Sequence, residues 1–354
     1  MALRVHLVLF VWLIVITAGC SVQEKTVSQN RPDAEYSAIY ILHADADYLY
    51  HNEEGEPLQA DREALKKAQA VAENAERGEI FIFHQRPEQQ LLRLFPKKDR
   101  RMYRYVNGEL VQEMKYSPED SAPLATEAAL YRANSSLPGS HRPSKRVLLY
   151  YGHEIPSRSQ NHYHRSRPDA RFGLTDFADG LAQFGSSHSG QPLFDLIVLS
   201  TCNNGTPGMI NHLKDRAAYI LASPQNLHLS HIDSDSLLAL ETNPRISIAE
   251  LAGKMAARTY ERMSGTIQTE VTLSLYDMSE VGRYVEEIAQ HISDKNPGLE
   301  NRHAGTGDNI DCAAVLSGKQ LVTKGVQTWF KPPAFGRQAG TDSHSGWGCP
   351  PASQ

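Results

Sequence analysis

The sequence predicts an α/β fold in three layers, with helices on both faces of a mainly parallel sheet and a β-hairpin inserted beside it. Three observations predict it. Short apolar runs of strand length recur along the chain without the alternation of a half-exposed sheet. Helical stretches separate several of these runs. One Asn-Gly pair stands between two alternating segments, a strong short-range hairpin signal.

Taken in order, Ser37–His43 (SAIYILH) reads as the first buried strand. Between Asp61 and Arg77, the residues Leu65, Ala68, Val71, Ala72 and Ala75 recur at spacings of three and four, and Gly78 follows as a stop. Glu79–His84 (EIFIFH) is the second strand, so strand, helix and strand make a βαβ unit. Residues 102–116 form the hairpin around Asn107-Gly108, and Leu124–Ala133 a helix. Ser135–Ser144 is a Pro/Gly/Ser-containing linker. The parallel pattern resumes with strands at Arg146–Tyr151, Phe194–Leu199 and Ala217–Ala222, and with helices at Leu174–Phe184 and Met209–Asp215. Further helices are expected at 234–241, 247–263 and 278–293, and the segment from about 297 is rich in Gly and Pro. The resulting domain plan is a leader over 1–19, a tether over 20–35, a main domain over 36–296 and an irregular extension over 297–354.

The leader is expected from Arg4 and the apolar run Leu7–Ile16, too short to span a bilayer comfortably. Thr17-Ala18-Gly19-Cys20 resembles a bacterial lipobox, in which Cys20 is acylated and becomes the first mature residue; an ordinary secretory signal is the alternative. Ser21, where Asp would resemble an inner-membrane retention signal, favours the outer membrane in a Gram-negative cell. The expected location is therefore the cell envelope, with membrane contact through the lipid. A net charge of −5 without a long run of one sign argues against nucleic acid as the partner, and a monomer is expected.

Of the four cysteines, Cys20 goes to lipid, while Cys312 and Cys349 could pair as a disulfide in an oxidising compartment. Cys202 is left, either buried and inert or reactive. Its position favours chemistry. His153 lies just past the carboxyl end of one apolar strand and Cys202 just past that of another. Ligand crevices of open parallel sheets form outside such strand ends. If the two strands are neighbours, a thiol and an imidazole share one cleft as nucleophile and proton-transfer partner.

Several segments carry a family resemblance. IYILHADADYL, EIFIFHQR, LLYYGHE, FGLTDFADGL, FDLIVLSTCNNG, AYILASPQNL and VTLSLYDMSEVGRYVEEI resemble, in order and spacing, the clostripain family of cysteine peptidases, over roughly residues 38–290. The resemblance implies a caspase-haemoglobinase-like fold and a catalytic dyad of His153 and Cys202. It also implies an oxyanion site from backbone near Glu154 and Thr201, and a peptide or protein substrate. This chain departs from the family at Glu154, where glycine is usual, at Ser200, where Asp often holds a basic substrate side chain, and at Asn203-Asn204-Gly205.

Other candidates have ordinary readings beside the functional ones. Ser200, Asp233 and Asp235 are candidates for substrate binding, with helix capping the plainer role of the two carboxylates. No cofactor is expected. Asp45 and Asp47 could bind calcium, but two carboxylates do not define a site, and solvated turn residues is the plainer reading. His162 and His164, with Arg158, Arg165, Arg167 and Arg171, mark an exposed basic loop, and His-x-His alone makes a weak metal motif; the resemblance implies activating cleavage in this loop if the enzyme cuts after basic residues. Two rivals to the peptidase remain open: an inactive relative that binds peptides or envelope partners, and a structural lipoprotein in which Cys202 is simply buried.

Overall fold

The structure is a computed structural model. It describes residues 34–43, 49–51, 57–86, 89–91, 95–97, 100–117, 122–135, 145–164, 169–185, 191–227, 232–295, 308–316, 321–336 and 338–349. The expected leader, the lipid site Cys20, Asp45, Asp47, Arg165, Arg167 and most of the 135–144 linker lie outside these residues.

Nine strands form the main sheet: β1 (Tyr36–His43), β2 (Gly78–Gln85), β3 (Arg100–Val106), β4 (Glu109–Tyr116), β5 (Lys145–Tyr151), β6 (Phe194–Ser200), β7 (Ala217–Ala222), β8 (Val271–Asp277) and β9 (Val326–Lys331). Their order across the sheet is β9-β8-β7-β6-β5-β1-β2-β3-β4. The five central strands β2, β1, β5, β6 and β7 are parallel. Two antiparallel strands flank them on each side.

The continuous apolar runs are explained by burial on both faces. Every residue of β1 and β2 is buried. On one face, Ile39, Ile41, Phe81, Leu148, Ile197 and Ile220 join a core with Phe177, Leu181 and Ile210. These last come from the helices α3 (Leu174–Ala182) and α4 (Pro207–Leu213). On the other, Ala38, Tyr40, Leu149, Val198 and Leu221 meet Ala68, Val71, Leu251 and Met255. Those come from α1 (Ala60–Glu73) and α5 (Ile248–Thr266). Each of the Leu, Ile, Val, Phe and Met side chains taken out of water contributes about 1.5–3 kcal/mol, and the alanines less.

The hairpin β3–β4 turns at Asn107 (φ 50°) and Gly108 (φ 80°), the paired positive angles that close a two-residue loop. Its first strand pairs with β2, so the insertion extends the main sheet. The helix α2 (Ala125–Asn134) follows.

Two helical expectations change. Residues 235–238 are a 3-10 turn running into the short helix Ala239–Thr242. The expected helix at 278–293 is broken: Asp277 caps Met278–Val281, and α6 (Val285–Lys295) starts afresh after Gly282. The larger change concerns the segment after 297, expected to be an irregular extension outside a domain ending at 296. Asp33–Gln354 form one compact unit. β9 lies at the edge of the main sheet, and Trp347 is completely buried against Tyr276 of β8, with ring centroids 4.7 Å apart. A disulfide joins Cys312 to Cys349. No helix among the described residues is long and apolar enough to cross a membrane.

Candidate active site

β5 and β6 are neighbours and in register, from Leu196 opposite Val147 to Ser200 opposite Tyr151. The ladder runs one step further, the Gly152 N–H donating to the Ser200 carbonyl at 3.4 Å. His153 therefore lies two residues beyond Tyr151, and Cys202 two beyond Ser200, at the same end of strands about 4.8 Å apart. Both residues are partly exposed.

The loops behind them are stitched together by asparagines. Asn204, almost fully buried, accepts from the Ile155 N–H and donates to the Ile155 carbonyl, both at 3.0 Å. Thr201 Oγ1 donates to Asn204 Oδ1 at 2.6 Å. Asn203, in the left-handed region at φ 55° that asparagine tolerates, donates from Nδ2 to Glu154 Oε2 at 2.9 Å. The loop carrying His153 and the loop carrying Cys202 are thereby joined residue to residue. Asn203-Asn204-Gly205 stands out in the sequence as polar residues following a buried strand; the bridging itself depends on a fold the sequence does not display.

The sulfur meets the loop after β7. Cys202 Sγ donates to Asn226 Oδ1 at 3.1 Å, and the Leu227 N–H points to the sulfur at 3.4 Å. The backbone pairs there too: Asn203 N–H donates to Gln225 O at 2.9 Å and Gly205 N–H to Ser223 O at 2.7 Å. The first bond engages the Asn203 N–H, so it is not an oxyanion donor in this arrangement. Asn226 escaped sequence reasoning, because nothing in a loop asparagine marks it as a neighbour of a distant thiol.

Glu154 is not among the non-glycine residues with positive φ, so this position makes no conformational demand for glycine. Ser200 is buried, and its Oγ accepts from the Ile232 N–H at 3.0 Å. Thr201 is buried as well. Asp233 Oδ2 accepts from the N–H and hydroxyl of Ser236 at 3.1 and 2.6 Å, a capping arrangement. Asp233 and Asp235 also border a cavity lined by Lys67, Tyr151 and Arg262.

Behind His153 lies an aromatic cluster. Tyr163 donates its hydroxyl to the His153 carbonyl at 3.2 Å. His43, at the end of β1, is hydrogen-bonded to Tyr150 at 2.9 Å and stacks on His164 with ring centroids 4.3 Å apart. Burial, then the nearby charges of His164, Arg100 and His153, hold the His43 imidazole well below its usual range. The basic loop is therefore only partly exposed as expected: His162 is exposed, whereas His164 is buried against Phe172. No group of three metal-ligating side chains occurs among the described residues.

Residues 163–315 match the sequence profile of the clostripain family. They form a clostripain-family segment. Cys202 falls inside the clostripain match, and His153 lies just before it. Among solved structures, the chain is similar to a secreted C11 cysteine protease from Bacteroides thetaiotaomicron in complex with an irreversible peptide inhibitor. That likeness has a TM-score of 0.50 at 13% identity, covering 74% of this chain and 70% of the other. An inactive zymogen C11 protease from Parabacteroides distasonis gives 0.48 at 13% identity, over 75% and 67% of the two chains. The first likeness shows the shared α/β fold around the clostripain segment. No curated protein matches the sequence.

Proposed function

We propose that the chain is a cysteine endopeptidase with Cys202 as nucleophile and His153 as its acid/base partner. The observation that carries this reading is the register of β5 and β6, which brings both residues to one rim. The Cys202 thiolate attacks the scissile carbonyl carbon, and the electron pair moves onto oxygen. The tetrahedral intermediate collapses as His153 protonates the leaving amine, giving an acyl-enzyme. His153 then takes a proton from water as it attacks the thioester, and the carbon–sulfur bond breaks to release the carboxylic acid and restore the Cys202 thiolate beside protonated His153. Backbone N–H groups at the rim, that of Glu154 included, face the oxyanion in this reading. Acylation at Cys20 would hold the enzyme at the cell envelope, with peptides or proteins as substrates.

A second reading, a relative that binds peptides without cleaving them, draws on the Cys202 thiol donating to Asn226. One experiment separates the two. The chain lacking residues 1–19 is incubated with a mixed peptide library beside its Cys202→Ala variant. New peptide ends made by the parent alone support the peptidase. Identical profiles with peptides still bound support the second reading.

A further inference from the structure

The segment after residue 307 reaches the loops of the candidate site through Asn309. Ile310 and Asp311 pair antiparallel with Cys349 and Gly348, and the Cys312–Cys349 disulfide closes this short ribbon. The Cys312 N–H donates to the Trp347 carbonyl at 2.9 Å, with Trp347 buried as an anchor. The ribbon presents Asn309, itself buried, to two loops at once.

Asn309 Nδ2 donates to the Asn203 carbonyl at 3.2 Å and to the Pro224 carbonyl at 3.1 Å. Both partners are pure acceptors, so the amide orientation is fixed by chemistry. The Asn309 N–H points to Asn203 Oδ1 at 3.4 Å. One residue thus ties the loop next to Cys202 to the loop whose Asn226 and Leu227 meet the sulfur. The approach is close. A Cβ at Gly348 would lie 2.1 Å from the Pro224 carbonyl oxygen, and one at Gly205 would lie 2.6 Å from the Pro224 nitrogen. The Gly348 N–H donates to the Gly205 carbonyl at 2.9 Å.

We propose that Asn309, held by the Cys312–Cys349 cross-link, is a positioning residue for the Cys202 sulfur. It adds to the direct Asn203–Gln225 and Gly205–Ser223 backbone bonds in fixing the spacing of the 203–205 and 223–227 loops, and so keeps the Leu227 N–H on Sγ. The disulfide is then a brace of the thiol site, so opening it and removing the Asn309 amide act on one and the same contact. The inference rests on Cys202 being the reactive thiol, but not on peptide turnover.

The test is the rate of Cys202 alkylation by iodoacetamide against pH, read by mass spectrometry on the chain lacking residues 1–19. The variants are Asn309→Ala, the double variant Cys312→Ala/Cys349→Ala, and their combination. Loss of the Leu227 N–H makes the thiolate costlier, so Asn309→Ala raises the apparent thiol pKa by about one unit and slows alkylation near neutral pH about fivefold or more. The double variant does the same, and the combination adds less than about a further twofold, because both act through one contact. Asn309→Leu keeps the side chain's bulk without the donated bonds and replaces the alanine variant if that does not fold. A profile superimposable on the parent's, or effects that multiply, would overturn the proposal. A chain that cleaves no peptide yet shows these shifts loses the peptidase reading and keeps the brace.

Discussion

Tyr151 and Ser200 are register partners on adjacent parallel strands, and two residues beyond each stand an imidazole and a thiol.

Asn226 Oδ1 is 3.1 Å from the sulfur, so Asn226→Asp places a carboxylate beside Cys202. A like charge at that distance disfavours the thiolate, and the apparent thiol pKa should rise by about 1–2 units. The acidic limb of the kcat/KM profile moves to higher pH by the same amount. An unmoved limb would show that Asn226 does not face the thiol in solution.

Ser200→Ala removes the hydroxyl that accepts from the Ile232 N–H, in a buried setting. The unsatisfied donor should cost about 1–3 kcal/mol of stability, read as a lower urea midpoint at unchanged slope. An unchanged midpoint would mean that the 232–235 loop repacks at no cost.

His43 predicts a pH effect on stability. Its folded-state pKa is held well below the ordinary value of 6.5, by burial first and then by His164, Arg100 and His153. The unfolded chain therefore takes up a proton before the folded one does. His43 stabilises the fold fully above that ordinary value, and the contribution is lost as pH falls from there toward the depressed folded value. His43→Asn should flatten the fall of the melting temperature between about pH 7 and 5. Parallel curves for parent and variant would remove His43 from the account.

Gly348→Ala tests the close approach at Pro224. A Cβ there meets a backbone oxygen at 2.1 Å, which requires the ribbon or the Pro224 loop to shift. The expected loss is about 1–3 kcal/mol, measured by thermal or urea unfolding.

The sequence made the five parallel strands legible because burial on both faces leaves no room for polar alternation. SAIYILH, EIFIFH, RVLLYY, FDLIVL and AAYILA need only length and flanking signals to be read. β9 is different. VQTWFK is an edge strand, partly exposed throughout, embedded in Gly- and Pro-rich sequence and paired with a strand far upstream. Its membership is decided by long-range pairing with β8, which no local pattern announces. The candidate site divides in the same way. His153 and Cys202 are visible because strand ends are visible. Asn226 and Asn309 are not, because each acts across a loop contact, and polar loop residues are common. The plainer reading of Asp233 as a cap needed only Ser236 three residues on, a local relation that sequence can carry.

The most direct measurement is the pH dependence of Cys202 alkylation in the parent chain and in His153→Ala. If the two side chains form one unit, the parent retains fast alkylation well below pH 7, and the variant falls back toward an ordinary thiol with a pKa of about 8.5. Superimposable profiles would contradict the pairing of Cys202 with His153.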